Sequence, residues 1–89
     1  MALFPMGKLV GTPGAIAFAH EHSINIISLV RRHLRGDWGD LDVWDKSAND
    51  NAINEGSRIM SMYEFPQGKI WIITEADRSS TCVLLPSEY

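Results

Sequence analysis

Asp37, Asp40, Asp42 and Asp45 stand close enough in the chain to surround a hard cation, because Mg²⁺ and Ca²⁺ take carboxylate oxygens from neighbouring turn residues. No bidentate glutamate follows at the twelfth position of a calcium loop, and the next residues read as helix. Helix capping, turn formation and a solvated acidic face therefore explain them too. His20 and His22 flank Glu21, and His33 adds a third imidazole, the commonest zinc ligand. No HExxH helix is present, and histidines at a helix end also suit its negative pole. Ser79, Ser80 and Cys82 lie beside Glu75 and Asp77, as a nucleophile lies beside a base, yet no G-x-S-x-G elbow occurs. Gly11-Thr12-Pro13-Gly14 lacks the lysine and spacing of a phosphate loop. The expectation is a chain with no catalytic residue, no metal ligand and no cofactor.

Charge is more informative in its distribution than in its sum. Eleven acidic residues against eight basic ones give a net charge of −3, which offers nucleic acid no general attraction. Arg31, Arg32 and Arg35 cluster beside His33, and five aspartates follow at once with only Lys46 to offset them, so the chain changes sign at Gly36. Two contact surfaces are candidates. One is the acidic turn and the helix after it (Asp37, Trp38, Asp40, Asp42, Asp45, Asp50), with Trp38 in its glycine-flanked turn as an interface anchor. The other is the loop Thr74–Ser80, where Glu75, Asp77 and Arg78 form either a contact loop or a solvated turn with internal ion pairs. A basic alternative is nucleic-acid contact through Arg31, Arg32, Arg35 and Lys46.

These residues need elements to hold them. Thr12-Pro13 starts a helix running to about His20. Ser23 offers a second cap, after which Ile26, Ile27, Val30 and Leu34 recur at helical spacing until Gly36. Gly36 to Asp40 reads as a tight turn. Asp42 caps a third helix, with Asp45 in its first turn, a buried stripe of Trp44, Ala48, Ala52 and Ile53, and Asn49, Asp50 and Asn51 toward solvent until Gly56. Then the period changes. Arg58–Phe65 and Lys69–Thr74 form a hairpin around Pro66-Gln67-Gly68, and Thr81–Leu85 adds a strand, with Trp71 in the core and Cys82 pointing inward. The fold class is α+β, with about three short helices packed on a three-stranded antiparallel β-meander, extendable by a short strand at Lys8–Val10.

The 89 residues leave room for one small domain, with a helical part over about 12–56 and the meander over about 58–85. A 45% hydrophobic and 21% charged composition is that of a folded chain. The single cysteine excludes an internal disulfide and suits a reducing compartment. With no apolar run near the roughly 20 residues of a membrane span and no signal-peptide pattern, this favours the cytoplasm. Leu3, Phe4 and Met6 either pack on the domain or mediate a homodimer.

The strings GDWGDLDVWDKSANDNAINEG and KIWIITEADRSSTCVLLPSEY, preceded by LVGTPGAIAF, resemble a family of small "plasmid-related" proteins of bacterial mobile genetic elements. The likeness runs over about Leu9 to Tyr89 and departs at His20 to Ile24, where the family has a more polar link containing Gly and Pro. It carries no catalytic residue. It implies a setting of plasmids, integrative elements and phages, and with it a non-enzymatic interaction protein that binds a host or defence-system protein through the acidic face. The alternatives are a nucleic-acid-binding accessory protein and a small metal-dependent hydrolase.

Overall fold

Each helix begins where a side chain can take the orphan amides of its first turn. The computed structural model describes residues 2–89. After strand β1 (Lys8–Gly11), the Thr12 hydroxyl accepts from the Ala15 N–H (3.1 Å) and Pro13 opens helix α1 (Pro13–Glu21). Helix α2 (Ile26–Leu34) is capped by Asn25, whose Oδ1 accepts from the Ser28 N–H at 3.1 Å. Ser23, the cap expected from sequence, instead sits at φ 55 in the reversal that closes α1, where Ile24 N–H donates to Ala19 O (2.8 Å). At the other end of α2, Gly36 adopts φ 85, Gly36 N–H donates to His33 O and Asp37 N–H to Arg32 O, the paired bonds of a Schellman stop. Asp42 caps helix α3 (Val43–Glu55) by accepting from the Asp45 N–H at 2.8 Å.

Strands β2 (Ile59–Phe65), β3 (Gly68–Thr74) and β4 (Ser80–Leu84) form the expected antiparallel meander. A correction concerns β1, which pairs parallel to β4, Lys8 opposite Ser80 and Val10 opposite Cys82, so the sheet is four-stranded and mixed in the order β1-β4-β3-β2. Parallel strands need a long crossover, and the three helices between β1 and β2 supply it. They cross one face of the sheet, because β1 and β2 occupy its opposite edges. A 3-10 turn, Pro86–Glu88, ends the chain's regular structure.

Two apolar clusters lie between helices and sheet. The larger joins Ala15, Ala19, Leu29 and Val30 to Tyr63, Ile70, Ile72 and Val83. The smaller joins Phe4, Trp38, Ala52 and Ile59. Phe4 is buried and Met6 packs on the larger cluster, so the N-terminal segment belongs largely to its own domain, with Leu3 half-exposed. Ile27 is exposed and Leu29 takes its place in the α2 stripe. Trp71 and Cys82, both expected inside, alternate onto the outer face of the sheet, since their neighbours Ile70, Ile72, Thr81 and Val83 point to the helices. No helix among the described residues is long and apolar enough to cross a membrane.

Candidate functional site

The acidic turn is built first of all to close a strand edge. β2 is an outer strand whose unpaired amides would template aggregation. Trp38 O accepts from Met62 N–H (3.2 Å), Asp40 N–H donates to Met62 O (2.7 Å), and Asp40 Oδ2 accepts from Glu64 N–H (2.8 Å). Further along, Asn49 Oδ1 accepts from Met60 N–H (3.1 Å) while its Nδ2 donates to Met60 O (2.7 Å), as a neighbouring strand would. Asn49, expected toward solvent, is buried for this reason. Gly39, at φ 79, is required here, because a Cβ would collide with the Met62 carbonyl.

Several aspartates singled out from sequence are thus engaged internally. Asp37 takes the Arg32 Nε–H at 2.7 Å and the Gly39 N–H at 3.2 Å, and the Arg32 hydrogen bond holds its carboxyl below the usual range. Asp42 caps α3, and Asp50 accepts from Trp38 Nε1–H at 2.9 Å. Trp38 itself is 3% exposed and stacks at 6.2 Å on Phe4, so it anchors the core rather than an interface. The exposed tryptophan is Trp44. Expected in the buried stripe of α3, it is 81% exposed beside Val43 at 72%, because the first six residues of the helix all face solvent and burial begins at Asn49. Asp42 precedes this apolar pair and Asp45 follows it.

The Thr74–Ser80 loop is likewise tied down. Arg78, at φ 61, donates to Ala52 O (2.8 Å), Ser57 O (2.6 Å) and Glu75 O (3.1 Å), clamping the end of α3 to the β3–β4 loop. Asp77 accepts from Ser79 N–H, and Arg58 approaches Glu75 at 3.8 Å. The basic cluster is divided too. Arg32 is committed to Asp37 and lies 4.6 Å over the Tyr63 ring, which lifts its already high pKa through the Asp37 bond. Arg31 and Arg35 pair with no carboxylate among the described residues and border a shallow cavity of about 230 Å³ with Ala2 and Leu34.

His33 is fully buried between the two clusters, edge-on to Phe4 (5.3 Å) and Trp38 (5.8 Å). Its hydrogen bonds have one consistent direction. The Met6 carbonyl can only accept, so the Thr81 hydroxyl donates to it (2.8 Å) and must accept from Thr74 (2.7 Å). Thr74 then accepts from His33 Nε2–H (2.9 Å), which leaves Nδ1 to accept from Ser61 O–H (2.5 Å). Burial lowers the His33 pKa to about 4. The spacing of His33 from Leu29 and Val30 on one face of α2 was the signal for this position.

His20 and His22 remain at the end of α1, where His22 packs edge-on against Phe18 at 4.6 Å. Among the described residues no three His, Cys, Asp or Glu side chains converge as metal ligands would. Cys82 is half-buried on the outer sheet face, and burial pushes its thiol upward, the reverse of an activated nucleophile. Compared with protein-family models, curated proteins and solved structures, the chain matches none.

Proposed function

We propose that this chain is a non-enzymatic interaction module that docks a protein through the Val43–Trp44 projection at the start of α3. The observation that carries this reading is the 81% exposure of Trp44 beside a 72%-exposed valine. Tryptophan is the residue most enriched among interface anchors, and leaving its large apolar surface in water gives the fold nothing. Asp42 and Asp45 on either side, with Asp40 just before them, define the complement: an apolar pocket rimmed by lysine or arginine. The mobile-element setting implied by the resemblance makes a host or defence-system protein the partner to seek, with counter-defence as the biological role.

The test is affinity capture from a bacterial lysate by wild type and by Trp44→Ala. The variant is expected to lose the captured protein while its unfolding free energy stays within about 0.5 kcal/mol, as for other surface changes. Asp45→Lys is expected to slow capture at low salt. Identical captured proteins on wild type and Trp44→Ala would sink the reading.

A second reading, nucleic-acid contact, rests on Arg31 and Arg35, which border one cavity, with the exposed Lys46 apart from them on α3, now that Arg32 is committed to Asp37. Two phosphate contacts would give a salt dependence of log K on log salt of about −1.8 on duplex DNA. No gel shift at low salt removes it.

A further inference from the structure

We infer that the outer face of the sheet is the contact surface of a symmetric homodimer. All three helices pack on the other face, and an exposed antiparallel face should alternate to polar residues. Here Ile73 and Leu84 are buried on the outer face, where the C-terminal 3-10 turn packs against β3, and Val10, Met60, Met62, Trp71 and Cys82 surround them only partly covered. The register sets Val10, Cys82, Ile73 and Met60 in one row across all four strands, and Leu84, Trp71 and Met62 in the next. Only a partial strap covers them. Tyr89 packs edge-on against Trp71 at 5.4 Å and is held by Arg58, whose guanidinium donates to its hydroxyl at 2.8 Å, while the ring stays 68% exposed.

Charge selects the occupant. A two-fold interface must be its own complement, so a face of one sign repels its copy. The Val43–Trp44 projection, bordered by Asp42 and Asp45 with Lys46 alone to offset them, is predominantly of that kind. The outer sheet face is not. At the β2–β3 turn Glu64 stands opposite Lys69, and at the far end Arg58 pairs with Glu75 near Lys8. Each end carries both signs around an apolar centre, which a second copy of this chain matches in either two-fold orientation.

Area sets the strength. Four strands spaced about 4.8 Å and about six residues long give a footprint of roughly 19 by 20 Å per copy. That is below the roughly 800 Å² per partner of a standard interface, so the dimer is a weak, concentration-dependent one. It uses a different surface from the Val43–Trp44 projection, and either can fail alone.

Sedimentation equilibrium on the full chain from about 5 µM to about 500 µM tests it, over the range where small interfaces associate. The weight-average mass is expected to rise from near that of the monomer toward twice that value across the range. Met62→Lys and Val10→Lys, at partly exposed positions on the two edge strands, are expected to weaken association at least about tenfold, because each would bury an unpaired charge within the apolar footprint. Trp44→Ala is expected to dimerise as wild type. Circular dichroism melts confirm that each variant is folded, and two sites keep the test valid if one is not. A chain that remains monomeric at the highest concentration overturns the proposal, and so does a dimer that both folded lysine variants leave intact.

Discussion

His33 owes its unusual position to partners supplied by three strands. A buried imidazole without them would cost several kcal/mol, but the hydroxyls of Ser61 on β2 and Thr74 on β3 meet its two nitrogens, Thr81 on β4 accepts from Thr74 in turn, and each donor meets an acceptor. The neutral form is the one that fits. Its folded pKa of about 4 lies below the ordinary 6.5, so between these values the unfolded chain binds the proton first and acidification favours unfolding. Stability is therefore expected to be constant with respect to this group above pH 6.5 and to fall by about 3 kcal/mol on going to pH 4. Urea unfolding at pH 7, 5.5 and 4 measures it, and His33→Gln, which keeps a donor and an acceptor, should flatten the slope in that window. A wild-type stability that is level from pH 7 to 4.5 would contradict the buried neutral imidazole. Nitrogen NMR shifts should report the Nε2–H tautomer that the hydroxyl chain dictates.

At the scale of elements, α3 shows both what periodicity reveals and what it misses. Its cap at Asp42 and its stop at Gly56 were legible, because caps are local chemistry. Its buried face was not: Trp44, Ala48, Ala52 and Ile53 satisfy a helical stripe, but the first six residues of the helix face solvent, so the real face begins at Asn49 and includes a polar residue. No pattern of apolar residues can find an asparagine that is buried to serve as a strand. The same limit hid the work of Asp40 and Arg78, whose partners Glu64, Ala52 and Ser57 lie 24, 26 and 21 residues away. The aspartate–tryptophan turn was recognisable as a turn, whereas its function as an edge cover depends on β2 arriving beside it. Asn49→Ala is accordingly expected to cost about 2 kcal/mol, the penalty for leaving the Met60 amide and carbonyl unpaired in a part-buried setting. It should also raise light scattering on mild heating, because the edge is open, while Asn51→Ala, exposed two residues on, changes neither. Equal behaviour of the two variants would remove the edge-cover assignment.

For the molecule as a whole, the parallel β1–β4 pair is the step that sequence left open, and it also orders the folding of the chain. β2, β3 and β4 follow one another through short turns, so their pairing closes small loops. Lys8 must find Ser80 across nearly the whole chain, and Thr81 receives Met6 as its acceptor only when that has happened. Loop-closure entropy rises with separation, and contacts that close the longest loop contribute least to a transition state built from local hairpins. Leu9, which faces the helices from β1 and packs on the larger cluster, reports this step without touching the hairpins. Leu9→Ala is expected to lower stability by about 2 kcal/mol through lost burial, nearly all of it as faster unfolding, roughly 30-fold, with the folding rate within about twofold of wild type. Stopped-flow chevrons decide the matter. A variant that folds tenfold slower would mean that β1 docks before the barrier, and the meander would then be the follower of the long-range pair rather than its template.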